Sequence, residues 1–457
     1  MSLRNLNLGI LTFLFIFLPF HAFLMNVFQG IFLYVDVPFP LWIAAWKEIL
    51  IVIFALALAI LIFQKKIPFP KFDTLDGVIT LYIVWALSTG FFRWGILDIE
   101  RTIFGAKYSL LFLIFFLLVR HFPLKEEERN KFFHYFLGVA AITFFFGVFQ
   151  KFLPQDFLVH FGYSPVFSDF APGGPTSYCQ MISFTNTCRL QSFFSGPNDF
   201  SAFLMFTLPL FFFLVLHPFH RKKEIQKNAP LRAFGATMFL IGIFDLVFAY
   251  SRSAWAGAIV SLTLGFIILF REKQWFKKTF WSLISLALVA FVSLSFFAHE
   301  FFEKVIIRIS SNQGHFERSR DGILHILLHP FGTGLGDSGP ASARFYANET
   351  GFIPESWYLQ VGIDTGFPGL ILFFMILFLL GKRLFQIHDW RGQALMCGLL
   401  GISIMAILLH SWESASVSLT FWGLAGILLS PTEKSGFFTK VKRFFTSFSQ
   451  KIFRKFS

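Results

Sequence analysis

Long apolar runs alternate with short polar breaks along most of the chain. Windows of about 17–25 apolar residues can span a bilayer as helix. They fall at roughly 8–29, 43–63, 75–92, 102–119, 132–152, 199–216, 233–250, 254–270, 279–298, 367–381, 393–410 and 415–430. A helix satisfies its own backbone within one segment, which lipid demands. The pattern therefore predicts an all-α integral membrane protein of about twelve transmembrane helices. The first window lacks a small-residue cleavage site and runs long, so it reads as a span rather than a cleaved signal peptide.

Lys and Arg concentrate in alternate connections: at Arg4, around 65–71, 120–131, 221–232, 271–278 and 382–391, and beyond 434. The positive-inside rule then places both termini in the cytoplasm. Two long connections, 153–198 and 299–366, fall on the periplasmic side, and long loops in compact proteins are usually functional or disordered. Their Gly, Pro, Trp and Tyr content suggests order. No internal repeat is visible, which argues against an inverted-repeat transporter. The division is a transmembrane domain over 1–430 and a cytoplasmic tail over 431–457. In the tail Phe437, Val441, Phe444, Phe448 and Ile452 keep helical spacing, with Lys440, Arg443, Lys451 and Arg454 mostly opposite. That suits a basic amphipathic helix on an anionic leaflet; a plain positive tail is the alternative.

Composition sharpens this. The chain has 457 residues, 55% hydrophobic and 14% charged, with 71 Phe. So few charges cannot cover the surface of a water-soluble protein of this size, and bilayer must replace water over most of it. The net charge of +13 sits in the fringes of the spans, so it points to membrane topology and away from nucleic acid.

Candidate chemistry lies in the two periplasmic loops and a few intramembrane charges. No D-x-D pair is present to hold a nucleotide-sugar metal, and no G-x-S-x-G. His325 and His329 stand four apart without an evident third ligand, so no metal is expected. Arg189 lies in the first loop, before Gly196-Pro197-Asn198. Arg252 lies in Tyr250-Ser251-Arg252-Ser253, a tight turn between two spans. Arginine there either snorkels to lipid phosphates or forms a bidentate clamp on a phosphate or pyrophosphate. In the second loop, Gly332, Gly334 and Gly336 form a turn that can offer backbone N–H groups to an anion. Glu355 is the acidic group nearest the membrane, with Trp357 and Tyr358 beside it. Cys179 and Cys188, nine residues apart in an oxidising compartment, suit a disulfide, with two free thiols as the alternative; Cys397 lies in a span. Lys107, Asp245 and Glu413 are charges within or beside spans.

Taken in order, Arg189…Gly196-Pro197-Asn198, Ser251-Arg252-x-x-Trp255, Arg320…His329-Pro330-x-Gly332-x-Gly334-x-Gly336 and Tyr358-Leu359-Gln360…Gly366-x-x-Gly369 resemble the O-antigen ligase and polymerase family of bacterial membrane glycosyltransferases. The match covers about 185–430; the N-terminal third matches only in hydropathy. The resemblance implies a metal-independent enzyme of the inner membrane, without cofactor. Its active site would face the periplasm and act on an undecaprenyl-pyrophosphate-linked oligosaccharide. Membrane lipids and a chain-length regulator protein are its implied partners, and lipopolysaccharide biosynthesis its setting. It also implies pyrophosphate-holding arginines, carried onto Arg189, Arg252 and Arg320. On chemical grounds a carboxylate such as Glu355 can accept the proton of the acceptor hydroxyl, and Trp357 and Tyr358 suit the headgroup level and can also stack on sugar rings. Ligases of the family have a His just before the Tyr-Leu-Gln-like segment. Here Glu355-Ser356 stands there, which resembles the polymerase branch. The expected function is polymerisation of lipid-linked repeat units. Alternatives are a ligase to lipid A core or protein, and a transporter or flippase of lipid-linked sugars.

Overall fold

The computed structural model describes residues 2–34, 40–164, 176–182, 187–216, 229–273, 309–345, 352–387 and 389–432, with isolated positions between 276 and 289. The expected span at 279–298 lies almost wholly outside the described residues, and the tail from 433 onward entirely so. Each of the other apolar windows falls on helix.

The elements are α1 (Leu3–Phe17), joined through a 3-10 turn to α2 (His21–Tyr34); α3 (Leu41–Ala44); α4 (Trp46–Phe63); α5 (Thr74–Trp94); α6 (Ile99–Ser109); α7 (Leu111–Arg120); α8 (Glu126–Gln150); α9 (Pro197–Leu216); α10 (Ala229–Phe248); α11 (Arg252–Phe270); α12 (Ile309–Leu328); α13 (Gly339–Phe345); α14 (Trp357–Gln386); α15 (Trp390–Met405); and α16 (Ala415–Leu429). Among the described residues, eight helical segments are long and apolar enough to cross a membrane, the joined α1–α2 counting as one. The α6–α7 pair makes one more apolar path, bent by 57° at Leu110. The expected separate span at 367–381 is the second part of α14, which begins ten residues earlier and runs through a break.

Charge chemistry gathers at one end of the bundle. Arg4 pairs with Glu128 through two bonds of 2.9 and 2.8 Å. Asp73 caps α5 by accepting from Leu75 N–H, and its other oxygen receives Arg120 at 2.6 Å and Arg383 at 2.7 Å. Arg391 reaches Asn130 and Glu126 on α8. Residues that the charge pattern assigned to inside connections thus meet one another. The loop segments of the chain meet at the opposite end, called here the loop end. Helix α9 runs through the centre, with 78% of its apolar window buried, against α10, α11, α15 and α16.

Near the loop end an aromatic cluster closes the core: Phe112 lies 6.1 Å from Trp357, 6.2 Å from Trp412 and 5.4 Å from Trp422, ring centre to ring centre.

The break in α14 is the fold's most instructive local feature. Gly366 has φ +67°, and Pro368 follows without an N–H. A broken helix frees carbonyls, and in a membrane these need partners. All three before the break have one. Ile363 O accepts from Thr333 N–H at 2.8 Å, and Asp364 O from Gly334 N–H at 3.2 Å. Thr365 O accepts from the Trp85 indole N–H at 2.7 Å. In return, Phe367 N–H donates to Pro330 O at 2.9 Å. The glycine turn at 332–336 is therefore a wedge that fills the break.

Candidate active site

The first loop's arginine is fixed by the strand of chain around it. The Gln150 side-chain oxygen accepts from Gln191 and Ser192 N–H, and the Ser192 hydroxyl donates to Thr143 O at 2.7 Å. Both partners belong to α8. Leu190 N–H donates to Phe248 O at the end of α10. Held between these helices, Arg189 donates from Nε to Ala249 O at 2.9 Å and from Nη2 to Asn198 Oδ1 at 2.8 Å. Ala249 opens the turn in which Tyr250 takes φ +50°, an unusual conformation for a bulky residue. Arg252 follows as the first residue of α11, half-buried. Arg189 and Arg252 thus share one corner. Cys179 and Cys188 form a disulfide with Cα atoms 5.3 Å apart, next to Arg189 in sequence.

Glu355 sits in the approach to α14. The Trp357 N–H and the Ser356 hydroxyl both donate to Ala406 O, and Pro354 O meets His410 Nε2. These bonds dock 354–357 on the connection after α15. The Glu355 carboxylate is ion-paired with Arg318 of α12. Arg320, two residues on, is exposed and donates to its neighbour Asp321 at 3.1 and 2.9 Å.

Two expectations are corrected. The glycine turn does not hold its N–H groups open for an external anion. Gly336 and Ser338 N–H donate to the Asp364 carboxylate at 3.1 and 3.0 Å, and the Ser338 hydroxyl adds 2.6 Å. The anion is the chain's own. Nor is Trp357 placed to stack on sugar: it is fully buried against Phe112 and Phe373. Tyr358 is half-buried, stacked on Phe374, and donates its hydroxyl to Ser403 O at 2.9 Å. Both rings bind helices together.

Beneath these segments lies a polar cavity of about 290 Å3. One wall carries His21, Lys47, Glu48 and Lys107, the other Ser195, Asp199, Glu413 and Ser414. Glu48 Oε1 is 3.2 Å from Lys47 Nζ and 3.4 Å from Lys107 Nζ. Asp199 accepts from the Ser195 hydroxyl. Glu413 lies in the connection between α15 and α16. Burial pushes its carboxyl well above the usual carboxylate range, a hydrogen bond with Gln360 opposes that, and the charges of Asp199 and Asp364 push the same way as burial. His325 and His329 place their rings 5.0 Å apart. Among the described residues no cluster of three or more His, Cys, Asp or Glu could hold a metal.

Lys107 and Glu413 stood out in the sequence as charges at membrane depth. Arg318, Lys47, Asp199 and Asp364 did not. Lys47 and Asp199 lie at the first residues of apolar windows, where a polar residue reads as a boundary. Asp364 had a usable signal, since a carboxylate two residues before the helix-breaking Gly366-Phe367-Pro368 has freed backbone beside it.

The helices and this polar loop end define a membrane protein with a charged site at one end of its bundle. A family model described as O-antigen ligase matches residues 236–374. That match supports the O-antigen ligase/polymerase family for this chain, whose members are glycosyltransferase-like enzymes using lipid-linked glycans. The matched segment holds Arg252, Arg318, Arg320, the glycine wedge and Glu355; Arg189 lies outside it. No curated protein matches the chain.

Proposed function

We propose that the chain is a metal-independent glycosyltransferase of the bacterial inner membrane. It polymerises undecaprenyl-pyrophosphate-linked repeat units into surface polysaccharide at a site facing the periplasm, with a chain-length regulator as partner. The observation that carries the reading is the corner at 249–252, where Arg189 is braced by two hydrogen bonds beside Arg252. Guanidinium forks match pyrophosphate oxygens in geometry as well as charge. In the reaction an acceptor sugar hydroxyl attacks the anomeric carbon of the donor glycan. The bond from that carbon to the pyrophosphate oxygen breaks, and the lipid pyrophosphate leaves with its electron pair. The arginines stabilise the charge that develops on it, and Glu355 takes the hydroxyl proton. Pyrophosphate is a good leaving group, so a general acid is unnecessary.

Deleting the gene and sizing the surface glycan tests this. Loss of a polymerase leaves single repeats attached to core. The second reading is a ligase, favoured by the description of the matching family model; its loss would leave long chains on the lipid carrier. The Glu355-Ser356 pair in place of a His favours the polymerase. Orientation has its own check. Single cysteines introduced near Asn348 should react with an impermeant thiol reagent in spheroplasts, while those near Lys222, Lys277 and Arg383 should not.

A further inference from the structure

A polymerase joins two lipid-linked molecules, and the arginine corner accounts for only one headgroup. The polar cavity adjoins a second feature that accounts for another. An almost wholly apolar groove of about 560 Å3 runs between α1–α2 and α3–α4, lined by Phe13, Phe17, Phe28, Trp42 and Ile49 among others. Met25 lines both spaces. At their junction Trp46, a groove residue, donates its indole N–H to His21 Nδ1 at 3.0 Å, and the far side of that imidazole meets Lys47 Nζ at 3.0 Å. An apolar channel thus ends on a cationic cluster at the loop end.

The charge of that cluster favours an anion. On this wall Lys47 and Lys107 share the one carboxylate of Glu48, so the wall keeps a net positive charge, while Asp199 and Glu413 line the opposite wall. Lys107 retains 31% exposure of its side chain and is the ammonium a ligand can reach. Bulk bilayer lipid would satisfy the groove alone but would not call for two lysines at its inner end, since charges at membrane depth are costly and usually serve a ligand or pathway. The opposite wall offers hydroxyls and acids suited to sugar hydroxyls: Ser195, Ser414, Asp199 and Glu413. Asp199 directly follows Asn198, the residue that Arg189 holds. The cavity and the arginine corner are therefore adjacent through one peptide bond of α9.

We propose that this groove and cavity bind a lipid phosphate, with its hydrocarbon tail in the groove, its phosphate at Lys107 with the buried Lys47 behind it, and its first sugar towards Asp199 and Glu413. Resting on the polymerase reading, it is the place of the second lipid-linked substrate, the acceptor, beside a donor at the arginines.

The test reads binding alone. Purified full-length protein in lipid vesicles is photolabelled with a polyprenyl phosphate carrying a benzophenone in its chain, or with the uncharged polyprenol of the same length. The phosphate probe should label peptides covering α1–α4, and unlabelled polyprenyl phosphate should compete while polyprenol should not. Lys107→Gln should weaken labelling about tenfold, the scale of one charge-assisted hydrogen bond, and Lys107→Arg should restore most of it. Equal labelling by phosphate and alcohol in the unaltered protein would mean the groove holds bulk lipid only and would overturn the proposal, whatever the variants do. Phosphate-dependent labelling in a protein that makes no polymer would retain this site and sink the polymerase reading. Polymer formation without phosphate-dependent labelling would do the reverse.

Discussion

The Glu355 carboxylate is ion-paired with Arg318, a residue 37 positions earlier on α12. The pair joins the second loop's helix to the approach to α14. With 58% of the Arg318 side chain exposed, solvent screens the attraction, and such pairs typically contribute only about 0–1 kcal/mol. On the polymerase reading its use is to aim the carboxylate. Arg318→Gln should lower polymerisation about tenfold while leaving the thermal unfolding midpoint nearly unchanged, and Arg318→Lys should recover much of the rate. A large fall in the midpoint without a change in rate would make the pair structural.

Arg189 uses its planar fork twice, on Ala249 O and Asn198 Oδ1. Lysine has no fork, so it cannot hold both partners and still present a flat face to pyrophosphate. Arg189→Lys should cost roughly 10- to 150-fold in kcat/KM, from the about 1.5–3 kcal/mol of a charge-assisted bond. Arg252→Lys should behave similarly. Normal polymerisation by both variants would show that a generic charge suffices.

The wedge in α14 predicts a contrast between two glycines that share a positive φ with extended ψ, a region essentially only glycine enters. At Gly366 an added Cβ would lie 2.3 Å from Pro330 O, and at Gly95 it would meet nothing within 4 Å. Gly95→Ala should cost about 1–3 kcal/mol, the backbone term alone. Gly366→Ala adds a clash with the turn that satisfies Ile363 and Asp364, and should abolish a monodisperse peak in fluorescence-detected size exclusion. Equal behaviour of the two variants would mean the wedge does not hold the break.

Glu413 gives a pH signature. Its folded-state carboxyl binds a proton more tightly than an unfolded one, because of burial first and the neighbouring acids second. A raised folded pKa gives stability that is complete below the ordinary carboxylate value and is lost as pH rises through the raised one. The unfolding midpoint should therefore fall as pH is raised from the carboxylate range, and Glu413→Gln should flatten that slope. A variant with the same slope as the parent would place the effect elsewhere.

The helical class and most helix positions were readable because a bilayer turns hydropathy directly into spans. What the apolar count left out was continuity. Nothing in 357–366 is apolar enough to read as span, yet α14 starts at Trp357 because the wedge at 332–336 and Trp85, distant in sequence, satisfy the break at Gly366. The candidate site stood out in the sequence where a charge stood in an odd place, as with Arg189, Arg252, Lys107 and Glu413. It was illegible where a role depends on a partner far along the chain. Trp357 looked like a sugar platform beside Glu355, and only the packing of Phe112 and Phe373 around it reveals a core residue. Arg318 carries no signal of its own in the sequence, and only the docking of 354–357 on Ala406 brings Glu355 to it.

The most direct test of the central claim is reconstitution. Purified protein in lipid vesicles is supplied with undecaprenyl-pyrophosphate-linked repeat units alone, with chelator and without nucleotide sugar, and products are resolved by length. The account predicts a ladder of whole repeats still attached to lipid pyrophosphate, with Glu355→Gln slowing its formation about 100-fold, as expected for a lost general base. Absence of a ladder from the unaltered protein, with glycan appearing on lipid A core in a parallel reaction to which core is added, would contradict polymerisation.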